Sequence, residues 1–174
     1  DTQPQHPKAE CYSWWKSPRY GGDVYEVGPL ARMWVNGEYA NGASVMDRHR
    51  ARIREAILIA EAMDGWLDEL VLQGSSYVSP SLPTSGSGFG LMEAPRGALG
   101  HWLEIADSHI SHYQVLTPTC WNASPRDTAG QPGPLEQALI GTPVANADEP
   151  IEVLRVVHSF DPCMDCATHV SRPK

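Results

Sequence analysis

A cysteine pair close to the end of the printed sequence has the spacing of a metal or redox site. Cys163 and Cys166 form a Cys-x-x-Cys, and His169 follows three residues after the second cysteine. A thioredoxin-like redox pair would begin a long helix, for which too few residues follow, and haem attachment would need a histidine where Ala167 stands. Clusters of thiolates and imidazoles bind transition metals. The spacing therefore predicts a metal site.

Two other interpretations remain open from these residues alone. A structural zinc site needs four ligands, of which Cys163, Cys166 and His169 supply three, and either His158 or Cys120 could supply the fourth. The chain would then be a small zinc-stabilised interaction module. Alternatively, the two cysteines are reduced thiols without a chemical role.

The composition excludes several classes of protein. Thirteen Lys and Arg residues against 21 Asp and Glu residues give a net charge of −8, which disfavours a nucleic-acid-binding face. Apolar residues make up 41% of the 174 residues, without a run approaching the ~20 that a membrane-spanning helix needs. Four cysteines are too few for a disulfide framework, and 15 glycines with 15 prolines predict long irregular connections. Because the first residue is Asp1 rather than Met, we expect a piece of a longer chain.

One long helix is expected over residues 45–72, from Val45 to Val71. Apolar residues recur there mostly at intervals of three and four, with charged residues between them. They are Ile53, Ile57, Ala60, Met63, Leu67, Leu70 and Val71. We expect this apolar stripe to pack against something larger than the rest of the chain offers.

The remaining elements are predicted to be shorter. Residues 1–44 are expected to form an extended entry segment, and residues 73–90, rich in Ser, Gly and Pro, a loop. In residues 91–174 we expect a β-hairpin made of residues 99–106 and 109–116, then short helices.

Two of those short helices precede the cysteine pair. Residues 133–141 have Pro near the start and Gly at the end, as helices prefer, and residues 151–158 form the second. Asp161 is expected to cap a further turn with Pro162 at its first position. That turn would hold Cys163 and Cys166 on one face.

Four motif blocks occur in a fixed order along the chain. They are Y-S-W-x-K-x-P-R-Y with E-V-G-P-L-A-R at 12–20 and 26–32, E-A-P-R-G-A-L-G-H-W at 93–102, Y-Q-x-x-x-P-T-x-W-N-x-x-P-R-D at 113–127, and D-P-C-x-x-C-x-x-H at 161–169. In these motifs the chain resembles the large subunits of nickel-iron hydrogenases. The resemblance implies a mainly α fold with a small β-hairpin and long loops, the C-terminal part of the large-subunit fold.

By this resemblance, four cysteine thiolates hold a nickel-iron pair whose iron also carries carbon monoxide and cyanide. Cys163 is implied to be a terminal nickel ligand and Cys166 a thiolate that bridges both metals. The other two thiolates belong to an R-x-C-G-x-C motif that this sequence lacks. Because Cys11 and Cys120 match no ligand of the family, we expect Cys120 to be a small buried residue and Cys11 a loop thiol.

The resemblance also implies what surrounds the metals. Arg96 would lie over the metal pair, donate to a cyanide and face the open position where hydrogen binds. Asp161 would orient Arg96 and offset its charge. The hydroxyl of Thr119 would donate to the second cyanide, in a pocket that it shares with Pro95 and Pro118.

A second metal ion, magnesium or iron, is implied near the end of the motif. His169 would be one ligand and the backbone carbonyl of Val115 another. Maturation factors insert the metals in this family, and a C-terminal endopeptidase often cuts after this histidine. Residues 170–174 would then be an uncut tail, or mark a branch that needs no cutting.

The function implied is the reversible oxidation of H₂ to protons and electrons, with electrons passed to iron-sulfur clusters of a small subunit. Because one thiolate pair is missing, we expect the chain to act only with an N-terminal large-subunit chain that carries R-x-C-G-x-C. Such enzymes work in the cytoplasm or at the periplasmic side of a membrane, where the partner subunit carries them. A non-catalytic relative, such as the quinone-reductase subunit of this fold, has lost the thiolates, and the presence of Cys163 and Cys166 argues against it.

Overall fold

The computed structural model describes residue 9, residues 11–13 and residues 15–163, and this part of the chain contains five helices and three strands. The helices are α1 (Pro29–Val35), α2 (Val45–Asp68), α3 (Pro118–Asn122), α4 (Pro134–Leu139) and α5 (Ile151–Ser159). The strands are β1 (Gly86–Ala94), β2 (Gly97–Ala106) and β3 (His109–Leu116). Helices hold more residues than strands, so the mainly α prediction is confirmed, with a third strand added to the predicted hairpin.

The long helix α2 begins where the sequence predicts and ends a few residues early. The Ser44 hydroxyl accepts from the Asp47 amide while the Asp47 carboxylate accepts from the Ser44 amide, which makes a capping box at its first turn. The last helical residue is Asp68 rather than Val71. Helix α1 lies inside residues 1–44, so the prediction of a wholly extended entry segment is wrong there. Pro29 occupies the first position of α1, where its missing N–H costs nothing.

The small core lies between α1 and α2. Leu30 and Met33 of α1 are buried against Ala51 of α2, and Leu58 packs at the edge of this cluster. The predicted apolar stripe of α2 lies on the other side of the helix, where Ile57, for example, is 46% exposed. The stripe therefore has no partner within the described residues, as expected for a surface that packs against a larger body.

The three strands form one antiparallel sheet in the order β1, β2, β3. The predicted hairpin is confirmed, because β2 and β3 are joined by Asp107 and Ser108, both with positive φ (51° and 63°), as in a type I′ turn. Strand β1 differs from the sequence prediction, which expects residues 73–90 to form a loop. Glycine occupies every second position at the start of β1, where the β-branched residues typical of a strand are absent.

The β1–β2 connection is a tight turn of two residues, Pro95 and Arg96. Ala94 and Gly97 are paired on either side of it. Gly97 has φ of 133°, and a Cβ at this position would lie 2.7 Å from the Gly28 nitrogen. Only glycine therefore allows the turn to press against the start of α1.

The chain reaches the cysteine region through α5. Both short helices lie where the sequence predicts them, α4 within residues 133–141 and α5 one residue longer than predicted. Phe160 is the C-cap of α5, and Asp161 follows with φ of 49°. This left-handed conformation differs from the extended one that is usual for an N-cap residue. The turn itself was predicted over residues that extend beyond the described part of the chain.

No helix in the described residues is both long and apolar enough to cross a membrane.

Candidate metal centre

Four of the residues predicted to form the site lie together in the structure. The Nε of Arg96 donates to the backbone carbonyl of Asp161 at 2.8 Å and lies 3.3 Å from the Asp161 carboxylate. The backbone amide of Cys163 donates to the hydroxyl oxygen of Thr119 at 3.3 Å. The β1–β2 turn, helix α3 and the segment after α5 therefore meet at one place.

The guanidinium of Arg96 is only partly used by these contacts. Its side chain is 41% exposed, and within the described residues its two terminal nitrogens donate no hydrogen bond. Both Asp161 contacts are made through Nε alone. The planar group is thus fixed at one edge by Asp161, while the other edge is available to an acceptor such as a small anion.

Thr119 is fixed in a similar way. It is buried in α3 directly after Pro118, which is also buried and occupies the first helical position. Because its oxygen accepts from the Cys163 amide, its hydroxyl proton remains available for another acceptor. Together with Arg96, it supplies hydrogen-bond donors close to Cys163. This donor set fits a thiolate-bound metal that carries polar diatomic ligands.

Arg32 supports the site although the sequence analysis did not single it out. Its guanidinium binds Glu55 through two nitrogens at 2.6 and 2.8 Å, and it also donates to Glu93. It further donates to the carbonyls of Ala94 and Pro95, both at 3.0 Å, so it holds the turn that carries the site arginine. The hydrogen bond to Glu55 is the largest cause of the raised pKa of Arg32. Its place at the end of the E-V-G-P-L-A-R block was the signal that could have found it.

The second predicted metal site can be described only at Val115. The carbonyl oxygen of Val115 accepts a hydrogen bond from the Lys16 ammonium at 2.5 Å. The carbonyl oxygen of Val115 therefore faces a positively charged group, as a metal-ligating carbonyl would. In this structure that group is the Lys16 ammonium. Cys166 and His169 lie outside the described residues. Among residues 9, 11–13 and 15–163, no three His, Cys, Asp or Glu side chains form a metal-binding group.

The two cysteines that match no ligand of the hydrogenase family have the burial expected of them. Cys120 is buried in α3, with its sulfur 3.2 Å from the Thr117 hydroxyl. Cys11 is exposed.

A family model described as nickel-dependent hydrogenase matches residues 1–43 and 35–169. The chain belongs to this family, which confirms the resemblance seen in the motifs.

Individual relatives agree with this assignment. The chain is 41% identical to the periplasmic [NiFeSe] hydrogenase large subunit of Desulfomicrobium baculatum, over 98% of this chain and 38% of that protein. It is also 41% identical to the hydrogenase-1 large chain of Escherichia coli K12, over 92% of this chain and 32% of that protein. The Ni-Fe-Se hydrogenase of D. vulgaris Hildenborough in the reduced state superposes with a TM-score of 0.87, over 97% of this chain and 40% of that one. The chain spans about two fifths or less of the length of these relatives.

Proposed function

We propose that this chain is part of a nickel-iron hydrogenase that catalyses the reversible oxidation of H₂. The observation that carries the proposal is the meeting of Arg96, Asp161, Thr119 and Cys163 at one place, reached from three separate elements. When bound, a nickel-iron centre supplies the redox chemistry of H₂ ⇌ 2H⁺ + 2e⁻. The proposal is consistent with the family to which the chain belongs.

Each side chain has a defined task in this proposal. Cys163 and Cys166 provide two thiolates, soft ligands suited to a metal that changes oxidation state. Arg96 uses its free edge to donate to a diatomic ligand of iron, such as cyanide, while Asp161 fixes its plane. Thr119 donates its hydroxyl proton to a second diatomic ligand, with Pro95 and Pro118 lining the same pocket. His169 and the Val115 carbonyl hold a separate magnesium or iron ion.

The proposal also requires partners. A metal site with four thiolates needs two more than Cys163 and Cys166, which an N-terminal large-subunit chain carrying R-x-C-G-x-C would supply. The exposed apolar stripe of α2 offers a surface on which such a chain would pack. Electrons would pass to an iron-sulfur small subunit, and maturation factors would load the metals.

Metal analysis of the chain tests this proposal. The chain should hold no stoichiometric nickel by itself, and should acquire nickel and H₂ uptake when it is produced with the N-terminal chain, the small subunit and the maturation factors. In that assembly, Cys163→Ala should abolish nickel binding. Cys11→Ala is the matched control and should leave it unchanged, because Cys11 is exposed and matches no ligand of the family.

Two results would contradict the proposal. Stoichiometric nickel and H₂ uptake in the isolated chain would show that no second thiolate pair is needed. Zinc without nickel, together with unfolding by chelators and no infrared bands of iron-bound carbon monoxide, would instead identify a zinc-stabilised module.

A further inference from the structure

The end of α5, shortly before the cysteine pair, is held by two arginines of α2. Arg52 donates to the carbonyl of Ser159 at 3.0 Å, at the end of α5. Arg48 lies over the ring of the next residue, Phe160, with the guanidinium carbon 3.8 Å from the ring centroid. Both arginines are one helical turn apart on α2, so they act on consecutive residues of the segment.

Arg48 is itself immobilised. It is buried, with 6% of the residue exposed, and binds both carboxylate oxygens of Glu26 at 2.8 and 2.7 Å. A bidentate pair of this kind fixes the plane of the guanidinium, and a planar cation stacks best on an aromatic face. Phe160 is also buried, at 6% exposure. The ring therefore rests on a rigid surface rather than on a mobile side chain.

The residues of this short segment are then held in sequence. Arg52 holds Ser159, and Arg48 holds the ring of Phe160. Arg96 holds the carbonyl of Asp161, and Thr119 holds the amide of Cys163. The first two contacts come from α2 and the last two from the candidate metal centre. A displacement at Phe160 would therefore be passed to Asp161, the next residue, and through it to the plane of Arg96.

We propose that Arg48, acting through Phe160, is a positioning residue that fixes Asp161 and Cys163 relative to Arg96 and Thr119. Arg48 touches none of the reacting groups. This inference rests on the proposed function, since it concerns the same metal centre. The ion pair between Arg48 and Glu26 lies outside the metal centre, and the geometry of the centre depends on it.

The test uses the assembled hydrogenase and two substitutions that break the stack from opposite sides, Arg48→Leu and Phe160→Leu. Phe160→Leu leaves the Arg48–Glu26 pair intact, so it does not leave a buried charge unpaired. In both variants the infrared bands of iron-bound carbon monoxide and cyanide should shift and broaden, at unchanged nickel content. The kcat for H₂ oxidation should fall about 100-fold, the cost typical of a misplacement of about 1 Å.

Two further variants separate positioning from general stability. Phe160→Tyr keeps an aromatic face and should retain the wild-type bands. Arg54→Leu, on the same helix, removes an exposed ion pair with Glu38 and should also leave the bands unchanged. Wild-type bands and kcat in both Arg48→Leu and Phe160→Leu would overturn the inference.

A metal-free measurement covers the case in which a leucine variant does not assemble. The amides of Asp161 and Cys163 donate to the His158 carbonyl and to Thr119, so their deuterium exchange reports on the segment. In the unassembled chain, exchange at both amides should be about tenfold faster in Phe160→Leu than in Phe160→Tyr. Equal exchange in the two variants would overturn the inference. Absence of nickel and of the infrared bands from the wild-type assembly would instead overturn the proposed function, and the exchange result would be unaffected.

Discussion

Two aspartates organise loops in this chain by accepting several hydrogen bonds each. Asp47 accepts from the hydroxyl and amide of Ser44 and from the Tyr39 hydroxyl, and these bonds, those of Ser44 first, lower its pKa to about 2. Asp127 accepts from the amide of Gln131 and from Arg19, which also lower its pKa. Such bonds favour the charged carboxylate, so both side chains stabilise the fold only while they are ionised.

The lowered pKa of Asp47 determines how the stability of the fold changes with pH. Its pKa in the folded chain, about 2, lies below the ordinary value of 3.8. Its stabilising effect is therefore complete well above pH 3.8 and is lost as the pH falls through about 2. We expect Asp47→Asn to lower the melting temperature at neutral pH and to make stability fall less between about pH 5 and pH 2. Thermal melts followed by circular dichroism across this range test the prediction.

Asp64→Asn is the matched control, since Asp64 is exposed on the same helix and its carboxylate accepts no hydrogen bond within the described residues. An Asp47→Asn melting curve that runs parallel to the wild type at every pH would refute the prediction.

At the scale of elements, local signals predicted the structure well where they were strong. Helix α2 has both a capping box and a helical apolar pattern, and the β2–β3 hairpin has two strands separated by two turn residues. Helix α1 and strand β1 were missed, because α1 has only seven residues and β1 contains three glycines. Their places depend on contacts with distant parts of the chain, which no local pattern encodes. For the same reason the motifs indicated Arg96 but not the arginines that hold its neighbours.

The β2–β3 turn allows a stabilising substitution. Ser108 has φ of 63°, a conformation that glycine adopts without the steric cost of a Cβ. We expect Ser108→Gly to raise the free energy of unfolding by about 0.5 kcal/mol, the relief of strain slightly exceeding the added freedom of the unfolded chain. Urea denaturation measures this difference.

Ser87→Gly serves as the contrasting substitution, because Ser87 lies inside β1 without positive φ. It should lower the free energy of unfolding by about 0.5 to 1 kcal/mol. If both substitutions destabilise to the same extent, the turn does not have the strain assigned to it.

At the scale of the whole molecule, the apolar stripe of α2 is the most conspicuous surface. Ile53, Ile57 and Leu67 are all about half exposed or more, whereas Ala51 on the opposite side is fully buried. A long helix with one face on its own core and an apolar face in solvent is typical of an incomplete packing unit. The relatives are more than twice as long as this chain, so they contain the material that could cover such a face.

A single charge on this stripe should therefore disturb assembly but not the fold of the chain. Ile57→Lys should weaken binding to the N-terminal large-subunit chain by at least about tenfold, because the lysine would be buried without a partner. The melting temperature of the isolated chain should change little, since Ile57 is 46% exposed there. Co-purification with a tagged N-terminal chain gives the measurement.

Glu61→Gln provides a control with the same change in net charge at an exposed polar position of α2. It should leave co-purification intact. Equal loss of binding in both variants would point to overall charge instead of the apolar stripe.

The way in which the segment at residues 159–163 is held also determines when it can take its place. The partner of Ser159 precedes it by 107 residues, and that of Cys163 by 44. Contacts between positions so far apart form slowly, because a large loop must close before they stabilise anything. We expect α2 and the β2–β3 hairpin, which depend on neighbours in the sequence, to form first. A newly made chain would then pass through a stage in which its secondary structure is present while the Cys163 thiol is still accessible.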